Sequence, residues 1–229
     1  MIKEEFPRSF LIDVPRRLSI NTPFFFPAIS TIKTNFSPND YLDLINNIGY
    51  PGFLISSYDI YKTESKDKKS LVNLLSKCEK NRIITLLDNG NYEAYWYKDS
   101  NWKLTHLKSV LNEISVDLCF SFDVFWKNSK NIDYYIEKTL SLILKTAGMQ
   151  KTGFTIPIIH SIPKLFPQVL HKLVESINPE IVAIPERELG SGILERAHTI
   201  KRIRKELNKT KKSIPIHLLG TGNPISILI

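Results

Sequence analysis

The chain has 229 residues and a mass of 26.4 kDa, with 42% hydrophobic and 24% charged residues, so it can bury one sizeable core. Its 31 lysines and arginines against 23 aspartates and glutamates give a net charge of +8, which is compatible with a polyanionic partner such as nucleic acid. Two cysteines, Cys78 and Cys119, exclude a disulfide framework and a Cys-x-x-Cys zinc site and favour a reducing, cytoplasmic compartment, and no apolar run predicts a signal peptide or a membrane span.

Short apolar runs alternate with amphipathic stretches along the chain. This alternation is typical of βα units that build a mainly parallel sheet. The predicted strands lie at residues 24–29, 52–55, 82–87, 117–122, 154–159, 181–184 and 214–219.

Helices are predicted between the strands. Ser37 followed by Pro38 indicates an N-cap with proline in the first turn. Apolar residues recur every three to four positions in the stretches 132–143, 165–177 and 193–207, which is the spacing of a buried helix face.

These elements predict an α/β fold of the (β/α)8 TIM-barrel type with about seven recognisable βα units. Residues 1–22 match no βα unit and are predicted to be an N-terminal capping segment, and residues 23–229 an incomplete barrel domain. Residues 225–229 are too few for another helix and strand, so the eighth unit is expected to be missing from this chain.

Polar residues follow five of the predicted strands, at the end where such barrels carry their chemistry. An acid there is as often a helix cap or an ion-pair partner as a catalytic group. A single histidine is more typical of a hydrogen-bonded loop residue, and two glycines of a tight turn, than of a site. In chain order the residues are Asp88, Asp123, His160 with Ser161, Glu186-Arg187-Glu188, and Gly220-Thr221-Gly222.

Three of these segments resemble the tRNA-guanine transglycosylases, over about residues 22–229. Leu87-Asp88-Asn89-Gly90-Asn91-Tyr92-Glu93 resembles their Asp-Ser-Gly-Gly-Phe-Gln segment, Phe122-Asp123 their following Phe-Asp, and Leu218-Leu219-Gly220-Thr221-Gly222-Asn223-Pro224 their Met-Gly-Val-Gly-x-Pro turn. Ile184-Pro185-Glu186-Arg187 departs from the family's glycine-rich sixth-strand loop. This segment and the segment Leu218-Leu219-Gly220-Thr221-Gly222-Asn223-Pro224 are more similar to the paralogues that insert 7-deazaguanine derivatives into DNA.

The resemblance implies that guanine in DNA, or alternatively in tRNA, is exchanged for a 7-deazaguanine derivative through a glycosyl-enzyme intermediate. By similarity Asp88 is the catalytic residue, as general acid/base or as a base contact. Asp123 would accept hydrogen bonds from the donor edge of the purine. Further base contacts are expected from Tyr92, Glu93, Glu186, Gly220 and Gly222.

The family's nucleophilic aspartate belongs to the eighth strand, and its zinc ligands are later cysteines and a histidine. Neither set has a counterpart among the matched segments, so we expect no metal and no cofactor in this chain. We expect instead that the rest of the barrel lies on a second polypeptide or was lost by truncation, and that the chain alone is inactive.

Lysines after the second predicted strand are candidates for contacts to the nucleic-acid backbone. They are Lys62, Lys66, Lys68 and Lys69. A second basic stretch, residues 196–212, is more typical of a solvated helix face.

Two other functions are compatible with the sequence. One is a non-catalytic nucleic-acid-binding module or partner subunit with the same fold. The other is a barrel hydrolase that holds a divalent metal with Asp88, Asp123 and Glu186.

Overall fold

The computed structural model of the chain describes residues 9–15, 18–32, 34–123, 131–151, 153–210 and 212–220. Its internal contacts divide the chain into two units. The first comprises Met1–Cys119 with Lys151–Phe154, and the second comprises Phe120–Gln150 with Thr155–Ile229.

The first unit begins with an antiparallel pair of short strands, β1 (Leu11–Val14) and β2 (Leu18–Asn21). Buried and exposed residues alternate along both strands, as expected for strands with one face on a core. The pair lies within residues 1–22, for which the sequence predicts a capping role. That role stays a prediction.

Five strands form one sheet in the order β3, β4, β5, β6, β7. The pairs β3–β4, β4–β5 and β5–β6 are parallel. β5 is buried along almost its whole length, which is typical of parallel strands covered on both faces. The strands are β3 (Ala28–Ile29), β4 (Gly52–Ser56), β5 (Ile84–Asp88), β6 (Leu118–Phe120) and β7 (Phe154–Ile156).

Two further strands of the second unit, β8 (Val182–Pro185) and β9 (Ile216–Leu219), pair in parallel. Each of the seven predicted apolar runs therefore overlaps a strand. The mixed α/β class with a parallel sheet is confirmed, and the (β/α)8 barrel stays a prediction.

Helices lie between the strands, as predicted. α1 begins at the expected cap, where Ser37 Oγ accepts from the N–H of Asp40 and the Asp40 carboxylate accepts from the N–H of Ser37. No helix in the described ranges combines the length and the hydropathy that a membrane crossing requires. The helices are α1 (Pro38–Ile48), α2 (Ser57–Lys62), α3 (Ser65–Lys80), α4 (Asn91–Trp96), α5 (Leu104–Glu113), α6 (Ile132–Ala147), α7 (Phe166–Ile177) and α8 (Ile193–Leu207).

The core of the second unit forms where α7 packs on β8. Phe166, Val169 and Leu173, spaced three to four positions apart, are fully buried in one cluster with Val182 and Ile184. Residues of α6 and α8 complete this cluster. The cluster also contains Ile159 and Leu189, which are the sequence neighbours of His160 and Glu188.

Candidate functional site

Asp88 is the last residue of β5, in the first unit. Two fully buried leucines, Leu86 and Leu87, precede it, and Asp88 itself is half-buried. Its Oδ2 accepts a hydrogen bond from the N–H of Gly90 at 2.9 Å. Asp88 thus shapes the turn that follows it, in the manner of an Asx turn.

Gly90 is required in this turn for two reasons. Its φ of 82° lies in the left-handed region, which side chains rarely adopt. A Cβ at this position would lie 2.7 Å from Cζ2 of Trp102 and 2.9 Å from Oγ of Ser57. The close approach lets α4 start directly after β5.

Glu93 of α4 is buried, with 3% of its surface exposed, beside the ends of two neighbouring strands. Its Oε1 accepts from Oγ of Ser30 and its Oε2 from Oγ of Ser56, both at 2.7 Å. Ser30 follows β3, and Ser56 is the last residue of β4, in register with Asp88 of β5. The structure therefore brings Asp88 and Glu93 to the carboxyl ends of adjacent strands.

A third acid of this unit, Asp59 of α2, is also buried. It accepts from the N–H of Thr31 at 2.8 Å and from its Oγ1 at 2.6 Å. Burial raises the pKa of Asp59 from 3.8 to about 6, against the lowering effect of the Thr31 hydrogen bonds, and the charge of Glu93 raises it further. Sequence reasoning missed Asp59, because it lies inside a helix and not directly after a strand.

Tyr92 lies on the outer face of α4 and is half-exposed. Its ring meets that of Trp96 edge-on, with the centroids 6.2 Å apart. Solvent reaches Tyr92, so the ring is available for stacking on a planar ligand.

The second unit contains a buried histidine between two carboxylates. Nε2 of His160 lies 2.5 Å from Oδ2 of Asp123, and Nδ1 lies 2.6 Å from Oε1 of Glu188. Ser161 donates its N–H to the other oxygen of Glu188 at 3.0 Å, and Tyr135 Oη accepts from the N–H of His160 at 3.0 Å. Each member of this triad follows a different strand, Asp123 after β6, His160 after β7 and Glu188 after β8.

The two carboxyl groups of the triad favour the charged form of the His160 imidazole. Burial lowers the pKa of His160, but the hydrogen bonds to Asp123 and Glu188 raise it more, from 6.5 to about 9. The positions of His160 and Glu188 after predicted strands were a signal in the sequence. Their assignment to one site depends on the hydrogen bond between the two side chains, which only the folded structure shows.

Glu186, predicted as a base contact, is buried in the short 3₁₀ helix Glu186–Leu189. Its Oε1 accepts from Nη1 of Arg196 at 2.7 Å, and Nε of Arg196 donates to the carbonyl of Gly190 at 2.9 Å. The carboxylate is therefore part of an ion pair that ties the 3₁₀ helix to α8.

A cavity of about 500 Å³ opens beside Glu188 in the second unit. Ser161, Arg187, Glu188 and Glu195 give it polar walls of both charges.

The remaining predicted site residues lie elsewhere. Gly220 is exposed at the end of β9 with φ 77°, and Gly222 lies outside the described residues. Lys69 of α3 is exposed, and three lysines form ion pairs: Lys62 with Asp99 at 2.8 Å, Lys66 with Glu64 at 3.2 Å and Lys68 with Glu113 at 2.7 Å. Within the described part of the chain, no group of three or more histidine, cysteine or acidic side chains is placed to hold a metal ion.

Comparison with known proteins supports the family relationship at a distance. No protein-family model matches the chain. It is 23% identical over 227 residues to a tRNA-guanine(15) transglycosylase of Saccharolobus solfataricus, a match that covers 90% of the chain and 42% of that protein. The chain thus spans less than half the length of this relative. The distant homology supports a relationship between this chain and the tRNA-guanine transglycosylase superfamily.

Proposed function

We propose that the chain is a transglycosylase-like domain that exchanges guanine in nucleic acid for a 7-deazaguanine derivative. The observation that carries this proposal is the distant similarity to a tRNA-guanine transglycosylase, which extends over 90% of the chain. DNA is the favoured substrate, because Ile184-Pro185-Glu186-Arg187 resembles the DNA-modifying paralogues. tRNA, which the relative's name specifies, is the alternative.

The chemistry requires two carboxylates with different tasks. Exchange breaks an N-glycosidic bond through an oxocarbenium-like transition state, so one carboxylate attacks the sugar carbon and another group manages the proton of the base. We assign the handling of the base proton to Asp88. Its half-buried position at the end of β5 gives its carboxyl both access to a ligand and a fixed orientation from Gly90.

Asp123 is the proposed acceptor for the donor edge of the purine. Guanine and 7-deazaguanine present neighbouring N–H groups there, whereas adenine does not, so a carboxylate discriminates between them. The contact with His160 supports this role, because its hydrogen bond to Oδ2 fixes the orientation of the Asp123 carboxyl.

The nucleophile is proposed to come from a further part of the barrel, either a C-terminal part of the protein or a second polypeptide. None of the segments that resemble the family corresponds to its nucleophilic aspartate, so Asp88 and Asp123 are assigned to the base. Exchange of labelled guanine into DNA or tRNA would then require this further part, while base binding would not.

Base binding by the isolated chain is the direct test. Calorimetric titration with 7-deazaguanine is expected to show binding, with adenine at least about tenfold weaker. Asp88→Asn is expected to lower the affinity at least about tenfold, because it removes a charged hydrogen-bond partner. The matched control Asp43→Asn, an exposed aspartate of α1 that accepts from Asn47, should leave it unchanged. Equal affinity for adenine, or an unaffected Asp88→Asn variant, would contradict the assignment.

The metal-dependent hydrolase is the weaker alternative. Glu186, one of its three proposed ligands, instead pairs with Arg196 at 2.7 Å. Activity that disappears with a chelator and returns with a divalent cation would favour this alternative.

A further inference from the structure

Three aromatic side chains cover the outer face of α4, and we name them the aromatic ridge: Tyr92, Tyr95 and Trp96. They are 50%, 71% and 43% exposed. Their i, i+3 and i+4 spacing places them on one helix face. The ring centroids of Tyr92 and Trp96 are 6.2 Å apart and those of Tyr95 and Trp96 5.8 Å, so the rings form a continuous surface.

The burial pattern of α4 is the reverse of that in an ordinary surface helix. The polar Glu93 and the small Ala94 face inward and are buried, while the large rings face solvent. Trp102, which follows α4 in the chain, is by contrast packed: it is 8% exposed, and its indole donates to the carbonyl of Asn89 at 3.0 Å. Contiguous exposed rings are unfavourable in water and commonly mark an interaction surface.

Charges near the aromatic ridge favour an anionic partner. The acid of α4, Glu93, turns its carboxylate inward onto Ser30 and Ser56. Lys98, two residues after Trp96, is exposed, whereas Asp99 is held by Lys62 at 2.8 Å. Exposed rings followed by an exposed lysine two residues along the chain suit stacked bases on a phosphate backbone.

We propose that the aromatic ridge binds unpaired nucleobases of a single-stranded segment by stacking. The proposal rests on the proposed function, because the ridge starts four residues after Asp88 and would hold nucleotides that flank the exchanged one. Stacking does not depend on base identity, since every base offers a π-face. The ridge therefore contributes strand affinity, and Asp88 and Asp123 contribute the choice of base.

Binding of fluorescein-labelled (dT)12, measured by fluorescence anisotropy on the full chain, tests the proposal. Tyr95→Ala and Trp96→Ala are each expected to weaken binding by about 5- to 150-fold, the range of one stacking contact. Tyr95→Phe should retain the wild-type affinity, because it keeps the ring. Tyr134→Ala is the matched control, since Tyr134 of α6 is 59% exposed and outside the ridge, and it should bind as wild type.

The outcomes separate the ridge from the base site. Loss of (dT)12 binding that is equal in Tyr134→Ala and Trp96→Ala would overturn the proposal. So would sedimentation showing that Trp96→Ala dissociates an oligomer while (dT)12 affinity stays unchanged, because the ridge would then be a protein interface. Asp88→Asn should lose 7-deazaguanine and keep (dT)12, so failure of the base site and failure of the ridge are distinguishable.

Discussion

Nε2 of His160 lies 2.5 Å from Oδ2 of Asp123, and only 3% and 6% of these side chains are exposed. A buried charge pair stabilises a fold only when further hydrogen bonds satisfy its remaining polar atoms. Here Glu188 binds the other nitrogen of the imidazole at 2.6 Å. Two carboxyl groups therefore surround one imidazole, so both ring nitrogens of this buried side chain have a hydrogen-bond partner.

The first prediction concerns the pH dependence of stability at His160. Its pKa is about 9 in the folded protein against 6.5 for the unfolded chain, so the folded state holds more protons between these values. The stabilisation is fully present below pH 6.5 and is lost as pH rises through 9. We expect the free energy of unfolding, measured by urea denaturation, to fall by up to about 1.4 kcal/mol per pH unit in this window.

His160→Gln should remove this slope, because glutamine does not titrate. The control His198→Gln, at an exposed position of α8, should keep it. A wild-type stability that is constant from pH 6.5 to 9 would contradict the charged triad.

The second prediction concerns Asp59. Its pKa is raised from 3.8 to about 6, so the folded state holds more protons than the unfolded chain between these values. Stability from this group is present below pH 3.8 and is lost as pH rises through 6. Asp59→Asn should flatten the plot of unfolding free energy against pH in that range, because asparagine does not titrate. Its amide can still accept from the N–H of Thr31 and donate to Oγ1.

Thr31→Val separates hydrogen bonding from charge at the same place. It removes the 2.6 Å hydrogen bond to Asp59 and should cost about 1 to 3 kcal/mol at pH 7 in urea denaturation. If Thr31→Val leaves the free energy of unfolding unchanged, the Thr31–Asp59 contact does not form in solution.

The strand positions could be predicted from sequence, because apolar runs between helical patterns are a local signal. The Ser37 cap of α1 could be predicted for the same reason. Four short elements were not predicted, because a stretch of four to six residues is too short to show a clear periodicity of apolar residues. They are β1 and β2, of four residues each, and α2 and α4, of six residues each.

The site could be predicted only in part, because side-chain partners are set by the fold. The sequence predicts a base contact at Glu186, whereas Glu188 is only part of the polar segment Glu186-Arg187-Glu188. In the 3₁₀ helix, residues two positions apart point in different directions, so Glu186 pairs with Arg196 and Glu188 with His160. The sequence separation of 37 residues between Asp123 and His160 leaves no local pattern from which their contact could be inferred.

The third prediction concerns Arg196. Its ion pair with Glu186 is largely buried, with 23% and 8% of the side chains exposed. Arg196→Ala leaves a buried carboxylate without its cation, which should cost about 3 to 5 kcal/mol in thermal or urea unfolding. The exposed pair between Lys209 and Glu206 is the control, and Lys209→Ala should cost less than about 1 kcal/mol.

A double variant tests whether the Arg196 effect comes from the unpaired charge. Arg196→Ala combined with Glu186→Gln should recover part of the lost stability, because the carboxylate that needs the cation is gone. Additive losses in the double variant would show that Arg196 acts through its hydrogen bond to the Gly190 carbonyl instead.

The last prediction concerns Gly90, whose conformation joins the fold to the proposed base site. A Cβ at Gly90 would meet Trp102 at 2.7 Å and Ser57 Oγ at 2.9 Å, in addition to the strain of a φ of 82°. Gly90→Ala should therefore destabilise the chain by about 2 to 4 kcal/mol. Gly49, at φ 65° with nothing within 4 Å of its Cβ position, is the matched control. Gly49→Ala should lower the free energy of unfolding through backbone strain alone, by about 1 kcal/mol.

The two glycine variants also differ in what they should do to the proposed base site. Gly90 donates its N–H to Asp88 at 2.9 Å, so a shift of this turn reorients the carboxyl proposed to contact the base. At a temperature where both variants remain folded, Gly90→Ala should weaken 7-deazaguanine binding and Gly49→Ala should not. Equal affinities in a calorimetric titration would show that the turn after β5 does not position Asp88 for ligand. A selective loss in Gly90→Ala would link this turn directly to base recognition.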